Sequence, residues 1–175
     1  VGGLGFILRG PWTWALPIYA YGIVPLVEFL FGGSEENMTE AEEEVARKNP
    51  WYDMLVYSIV PIQWGLFISF LFVVQDPNLA AWEVAGLVFS TGIGCAAFGI
   101  NVAHELGHRH KWYEQWMSKA LLLTAQYMHF FIEHNRGHHK NVSTEEDPAT
   151  SRYGEVVFTF WFRSVIMGYI SAWKL

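Results

Sequence analysis

Long apolar stretches alternate with short polar segments along this chain. Three of the stretches, residues 11–32, 54–74 and 82–103, are mostly apolar, and the second carries no charged residue. About 20 helical residues, each rising about 1.5 Å, cross a hydrocarbon layer of about 30 Å. The third stretch is rich in Gly, Ala and Ser, which lets neighbouring helices approach closely. The pattern predicts an all-α, multi-span transmembrane helical bundle.

The polar segments between these stretches predict how the first half of the chain is connected. The sequence QDPNLA, residues 75–80, predicts a tight turn that joins the second and third spans in a hairpin. Upstream of the second span, Thr39 followed by glutamates up to Glu44 predicts a capped helical turn rich in acidic residues.

The last part of the chain contains two further apolar segments. Residues 116–131 must leave from and return to the same side if two groups of histidines are to meet, so we predict a helix lying in the membrane interface. Residues 155–175 are apolar but interrupted by Arg163 and Lys174. This segment predicts either an interfacial helix or the start of another span.

Composition supports a membrane protein and excludes some other classes. The chain is 52% hydrophobic and only 16% charged, below the roughly 25% that is usual in soluble domains. The net charge of -6 arises largely in the acidic segment 34–48, and no basic patch indicates nucleic acid. Because Cys95 is the one cysteine, a disulfide framework and a cysteine-based zinc site are excluded.

A first histidine motif, HELGHRH, directly follows the third span at residues 104–110. Successive helical positions turn by about 100°, so His104 and His108 lie on one face, one turn apart. The same letters form the H-E-x-x-H motif of zinc proteases, in which Glu105 would be the general base. In that hypothesis, Glu133 could supply the third zinc ligand.

A second histidine motif, EHNRGHH, occupies residues 133–139. His134 and His138 repeat the i, i+4 spacing, while His139 would diverge from His138 by about 100°, which suits two metal ions better than one. Five imidazoles without cysteine indicate iron, zinc, copper or nickel. We interpret the other two histidines, His110 and His129, as residues that do not bind metal.

Three function classes fit these motifs to different degrees. A membrane zinc protease would leave the three histidines of the second motif unused, whereas a two-metal centre uses all five, and iron adds the redox chemistry that zinc lacks. A membrane protein that binds or transports metal without catalysis is the third class. Metal content separates them, since two irons favour an oxygenase and one zinc a protease.

The basic residues predict the orientation in the membrane. If the third span ends in the cytoplasm, only Arg9 lies on the opposite side. The basic residues on the cytoplasmic side are then Arg47, Lys48, Arg109, Lys111, Lys119, Arg136, Lys140 and Arg152. By the positive-inside rule, the histidine motifs face the cytoplasm.

Three short motifs together resemble a known family. HELGHR, EHNRGHH and the later EEDPATSR are similar to the integral-membrane alkane hydroxylases, the non-haem di-iron alkane 1-monooxygenases, which are related to the membrane fatty-acid desaturases. Desaturases typically have H-x-x-H-H in the second motif, whereas this chain has H-x-x-x-H-H. A further H-x-x-H-H motif of the family and another histidine motif beyond it have no counterpart before Leu175, so the resemblance implies an internal fragment of one membrane hydroxylase domain.

The resemblance implies a specific activity. The enzyme would hydroxylate the terminal methyl group of medium-chain n-alkanes to primary alcohols, with dioxygen as co-substrate and two non-haem iron ions. Electrons would come from rubredoxin and its NADH-dependent reductase, and the location would be the bacterial inner membrane. A related desaturase or an aryl-methyl monooxygenase remains an alternative. The iron ligands carried over from the family are His104, His108, His134, His138 and His139.

Two further sets of residues are candidates for supporting roles. Glu105, Glu133 and Asp147 could accept a hydrogen bond from the second nitrogen of a ligand imidazole and so orient it. An alkane dissolves in lipid, and a pocket between apolar helices would receive it. The bulky residues of the first span that could close such a pocket are Trp14, Tyr19 and Tyr21.

Overall fold

The structure is a computed structural model that describes residues 1–33 and 37–175. In this part of the chain, the regular secondary structure is helical. The chain divides into two compact units, Val1–Gly99 and Ile100–Leu175. Three helices are long and apolar enough to cross a membrane: Gly10–Phe31, Pro50–Val73 and Ala81–His108. The predicted all-α architecture with three candidate spans is confirmed, and the protein is an integral membrane protein.

The first unit contains the first two spans and most of the third. Its helical segments are α1 (Leu4–Leu8), a 3-10 turn (Gly10–Trp14), α2 (Ala15–Ile18), a π-helical turn (Tyr19–Ile23), α3 (Val24–Phe31), α4 (Glu40–Arg47), α5 (Pro50–Val73) and α6 (Ala81–Gly94). The first span is therefore not one regular α-helix. Pro11, Pro17 and Pro25 each remove a backbone donor within this short stretch, which favours changes of helix type.

The boundaries of the second span and its flanking turns have local causes. Helix α5 begins four residues before the predicted start because Pro50 occupies its first position and Asn49 caps it, accepting a hydrogen bond from the Trp51 N–H at 3.1 Å. Helix α4 has the predicted cap, since Thr39 and Glu42 form a reciprocal capping box. Residues 34–36 of the acidic segment lie outside the described residues.

The predicted hairpin turn between the second and third spans is present. Asp76 accepts hydrogen bonds from the backbone and side-chain N–H groups of Asn78 at 3.0 Å. Arg9 lies 3.7 Å from the Asp76 carboxylate and donates to the Val73 carbonyl. The turn is therefore connected to the start of the first span within this unit.

Close packing of the first span against α6 depends on Gly86. A methyl group at Gly86 would lie 2.6 Å from Thr13 Oγ1 and 2.7 Å from the Trp14 ring. Trp14 donates from its indole nitrogen to the Trp82 carbonyl at 3.0 Å, and the Thr13 residue is fully buried. The glycine is therefore required by the approach of two helices rather than by a turn.

We expect Gly86→Ala to destabilise the protein by about 1–3 kcal/mol, because the added methyl group overpacks this contact. Gly92→Ala is the matched control, since a methyl group there has no neighbour within 4 Å. Unfolding in mixed micelles, followed by circular dichroism, measures the difference. Equal stabilities of the two variants would contradict the tight packing at Gly86.

The second unit contains both histidine motifs. Its helical segments are α7 (Asn101–His108), α8 (Trp112–Thr124), α9 (His129–Ile132), a π-helical turn (Glu133–His138), α10 (His139–Asn141) and α11 (Val157–Ala172). A further π-helical turn, Cys95–Ile100, directly precedes α7. Leu106 of α7 and Leu121 and Leu122 of α8 are fully buried and form the apolar core of this unit.

The single helix predicted over residues 116–131 is wrong, because α8 ends at Thr124 and α9 begins at His129. Gln126 adopts a left-handed φ of 54°, and the Tyr127 N–H donates back to the Leu122 carbonyl at 2.9 Å. This arrangement is a Schellman cap, which glycine usually completes. The helix predicted within residues 155–175 is present as α11, and its interfacial or spanning location stays a prediction.

Candidate metal centre

His104 and His108 of the first histidine motif lie on a side of α7 that does not pack against α8. Ala103, Leu106 and Gly107 are buried, while His104 and His108 remain exposed. Ser118 of α8 donates to the Ala103 carbonyl at 2.6 Å, and a methyl group at Gly107 would lie 3.2 Å from Ser118 Oγ. Because Ala103 and Gly107 pack against α8, the imidazoles of His104 and His108 remain outside this contact.

The second histidine motif lies in a π-helical turn, and this geometry changes which histidines face the first motif. The turn Glu133–His138 brings residues five apart onto one side, so His134 Nε2 lies 3.0 Å from His139 Nε2. Regular α-helical geometry, which the sequence spacing implied, would separate these two residues. The His134 ring stacks on Phe130, with 4.8 Å between ring centroids, and this contact fixes its orientation.

Four Nε2 atoms from the two motifs converge. His108 Nε2 lies 3.1 Å from both His104 Nε2 and His134 Nε2. His134 Nε2 in turn lies 3.0 Å from His139 Nε2. Each Nε2 carries either one proton or one lone pair, so these three contacts cannot all be hydrogen bonds. Metal–nitrogen bonds of about 2.0–2.1 Å place neighbouring ligand nitrogens about 2.9–3.4 Å apart. The donor set therefore fits a nitrogen-ligated transition metal.

Electrostatics also favour a neutral imidazole at His134. Burial and the adjacent rings of His104 and His139 lower the pKa of His134 to about 4. A neutral imidazole is the form that binds a metal ion. His104, His108 and His134 are also the group whose ligand atoms all lie within 4.8 Å of one another.

The fifth predicted ligand, His138, is oriented by a carboxylate. Its Nδ1 donates to Asp147 Oδ2 at 2.8 Å, and Asp147 is 1% exposed. Burial alone would raise the pKa of Asp147, but hydrogen bonds from Thr150, the Ala149 N–H and His138 outweigh it and hold that pKa below its usual value. With Nδ1 engaged, Nε2 is the ring nitrogen that remains for a metal.

Neither of the other two carboxylates proposed to orient imidazoles forms a described hydrogen bond with one. Glu105 is exposed and accepts a hydrogen bond from Arg109 at 3.2 Å, and Arg109 also reaches the buried Glu114 at 3.0 Å. Glu133 is buried and hydrogen-bonds with Ser171, and burial together with the charge of Asp147 raises the pKa of Glu133. Among the described residues, Glu133 Oε1 has no hydrogen-bond partner.

The two histidines predicted not to bind metal, and the three pocket candidates, have different surroundings. His110 is exposed, and His129 contacts the rings of Tyr127 and Tyr169. Tyr19 lines a cavity of about 410 Å³ within the first unit, whereas Tyr21 is 76% exposed. Apolar residues that share the cavity with Tyr19 include Phe6, Leu16, Leu66, Phe67 and Phe98.

Trp14, the third pocket candidate, is engaged in helix packing. Its ring contacts Phe89, with 5.6 Å between centroids, and its indole nitrogen bonds the Trp82 carbonyl. Among the three bulky residues of the first span, Tyr19 is thus the one placed at the cavity.

Comparison with known proteins gives a family for this arrangement. Residues 80–175, which include α6 and both histidine motifs, match the fatty acid desaturase family. The chain belongs to the fatty acid desaturase family. The predicted relationship to the membrane desaturases and hydroxylases is therefore confirmed.

Two curated proteins that are similar to this chain are named for an oxygenase activity. The chain is 37% identical over 164 residues to alkane 1-monooxygenase 1 of Alcanivorax borkumensis, which covers 94% of this chain and 40% of the relative. It is also 37% identical over 155 residues to the alkane 1-monooxygenase of Pseudomonas putida, covering 89% of this chain and 38% of the relative. This member of the desaturase family thus spans about 40% of the length of these relatives.

Proposed function

We propose that the chain is part of a non-haem di-iron monooxygenase that hydroxylates the terminal methyl group of medium-chain n-alkanes. The observation that carries the proposal is the convergence of four imidazole Nε2 atoms from two motifs in a chain similar to alkane 1-monooxygenases. When bound, the two irons would activate dioxygen as co-substrate. His104, His108, His134, His138 and His139 would hold them.

The carboxylates argue against the zinc protease alternative. That hypothesis needs Glu105 as a general base at the metal and Glu133 as a ligand. Glu105 is instead paired with Arg109, and Glu133 is buried with Ser171 as its partner. The protease hypothesis also gives no role to His139, whose Nε2 lies 3.0 Å from His134 Nε2.

Electron donors and orientation belong to the same proposal. We infer that rubredoxin, reduced by an NADH-dependent reductase, supplies the electrons at the cytoplasmic face of a bacterial inner membrane. Positive residues concentrated beside the histidine motifs support this orientation. Membrane lipid surrounds the spans and delivers the n-alkane, which dissolves in it.

The proposal is tested on the full-length protein purified in detergent micelles. We expect about two irons per molecule, bound by the histidine nitrogens, and rubredoxin-dependent conversion of octane to 1-octanol. One zinc with peptidase activity would support the protease instead. Oxidation of toluene or p-xylene in preference to octane would support an aryl-methyl monooxygenase, and a double bond introduced into a fatty acyl chain would support a desaturase.

The cavity at Tyr19 gives a prediction about chain length. If alkane occupies it, Tyr19→Ser deepens the cavity and extends the substrate range from octane towards decane. A buried methylene contributes about 0.8 kcal/mol, so two more of them change the ratio of kcat/KM values roughly tenfold. Tyr21→Ser is the control because Tyr21 is exposed. An unchanged product range for Tyr19→Ser, measured by gas chromatography, would rule out this role of Tyr19.

A further inference from the structure

Arg163 is a charged residue within an otherwise apolar helix. It is the one charged residue of α11, and its side chain is only 17% exposed. A guanidinium that is largely removed from water is costly unless every donor finds an acceptor. The acceptors of Arg163 therefore indicate what this residue does.

Those acceptors lie in the Asp147 loop, which we define as residues 142–156 between α10 and α11. The Arg163 guanidinium forms a bidentate pair with Glu155 at 2.7 and 2.6 Å. It also donates to the carbonyls of Pro148, at 3.2 Å, and Thr150, at 2.9 Å. Arg163 thus holds three separate points of the loop.

Two of these contacts, with the carbonyls of Pro148 and Thr150, flank a backbone N–H that binds Asp147. The Ala149 N–H, between the bound carbonyls of Pro148 and Thr150, donates to Asp147 Oδ1 at 2.9 Å. The Thr150 hydroxyl donates to Asp147 Oδ2. Arg163 therefore binds the two ends of the short segment 148–150, whose Ala149 N–H and Thr150 hydroxyl hold the Asp147 carboxylate beside His138.

Glu155 completes the connection at the end of the loop. Its carboxylate accepts from the Arg152 N–H at 3.0 Å as well as from Arg163. Hydrogen bonds from Arg163 and from Arg152 lower the pKa of Glu155 to about 2, so the pair remains ionised at neutral pH. The contacts of Arg163 with Glu155, Pro148 and Thr150 thus form an ionic clamp on the loop.

We propose that Arg163 is a positioning residue of the metal centre, which holds the Asp147 loop so that the Asp147 carboxylate fixes the ring of His138. This inference rests on the proposed metal site. A planar guanidinium reaches a carboxylate and two carbonyls at once, whereas a lysine ammonium has no such fork. The described hydrogen bonds of Arg163 go to the loop and not to a histidine, so it acts through Asp147.

The test uses Co²⁺ as the probe in the full-length protein, because its visible absorption reports ligand geometry. We expect Arg163→Met to release Co²⁺ to a chelator about tenfold faster than the unmodified protein, as is typical when the support of a ligand is lost. A shifted Co²⁺ absorption band should accompany the faster release. Arg163→Lys should behave like Arg163→Met.

Arg9→Met is the matched control, since Arg9 also binds a carboxylate and a backbone carbonyl but in the other unit. Its Co²⁺ release and spectrum should equal those of the unmodified protein. If Arg163→Met does not fold, Glu155→Gln, which loosens the same clamp, must release Co²⁺ faster. Release at the unmodified rate in Arg163→Met, Arg163→Lys or Glu155→Gln would overturn the proposal.

A double-mutant cycle shows whether Arg163 acts through Asp147. In an Asp147→Asn background, Arg163→Met should add little to the rate of Co²⁺ release, because the carboxylate through which Arg163 acts is already absent. Additive effects would overturn the inference. If the unmodified protein bound no Co²⁺ or iron, the proposed metal centre itself would fail, and this outcome is distinct from an unchanged release rate.

Discussion

Replacing His134 with alanine should reduce metal binding to background. His134 Nε2 lies 3.1 Å from His108 Nε2 and 3.0 Å from His139 Nε2, so it joins the two motifs. Without it, the centre loses the nitrogen that lies between His108 and His139, and the ring contact of His108 with His139, with 4.8 Å between centroids, is what still joins the pair on α7 to the second motif. Elemental analysis of the purified full-length protein measures the metal, and alkane hydroxylation should disappear with it.

His110→Ala is the matched control for this prediction. His110 is exposed and lies only two residues beyond His108. The described contacts between imidazole nitrogens do not include it. We expect full metal content and activity in this variant. Full metal content in His134→Ala would instead remove the basis for a centre shared by both motifs.

Replacing Asp147 with asparagine should weaken metal binding by about 10- to 100-fold, the usual cost of losing a carboxylate that supports a ligand histidine. The amide is the same size as the carboxylate but carries no charge, so the His138 Nδ1 proton loses an ionic acceptor. The Thr150 hydroxyl and the Ala149 N–H also lose an ionised partner. Competition with a metal-binding dye gives the dissociation constants.

Glu105→Gln provides the comparison, because it makes the same chemical change at an exposed carboxylate that pairs with Arg109. An exposed pair of this kind contributes about 0–1 kcal/mol, so we expect a small effect on metal affinity and on hydroxylation. In a zinc protease the same substitution would nearly abolish turnover. Equal weakening by Asp147→Asn and Glu105→Gln would contradict the assigned role of Asp147.

The candidate spans were predictable from sequence because the relevant property is local. A long run of apolar residues favours a membrane whatever it packs against, and helical geometry satisfies its backbone hydrogen bonds within the segment. Predicted and observed spans agree to within a few residues, and the third helix continues through the first histidine motif to His108, as the spacing of the histidines predicted. The pairing of His104 with His108 is equally local, since one helical turn determines it.

The break at Gln126 was not predictable in the same way. Glycine is the usual residue at the left-handed position of a Schellman cap, and the sequence has glutamine there. The apolar pattern continues through the break, so it predicts one helix where the structure has two. That cap ends α8 at Thr124 and so determines where the helix that leads into the second histidine motif can start.

Sequence by itself determined the residue types of the candidate site, namely five histidines in two motifs and three carboxylates near them. It treated Glu105 and Asp147 alike, and its α-helical spacing paired His134 with His138, whose rings do stack with 5.3 Å between centroids, but it gave no contact between His134 and His139. Only the tertiary structure decided these points, because the π-helical turn joins His134 to His139 and the folded loop brings Asp147 to His138. The position of the loop depends on long-range contacts, such as those of Arg163 with the Pro148 and Thr150 carbonyls, which no local spacing encodes.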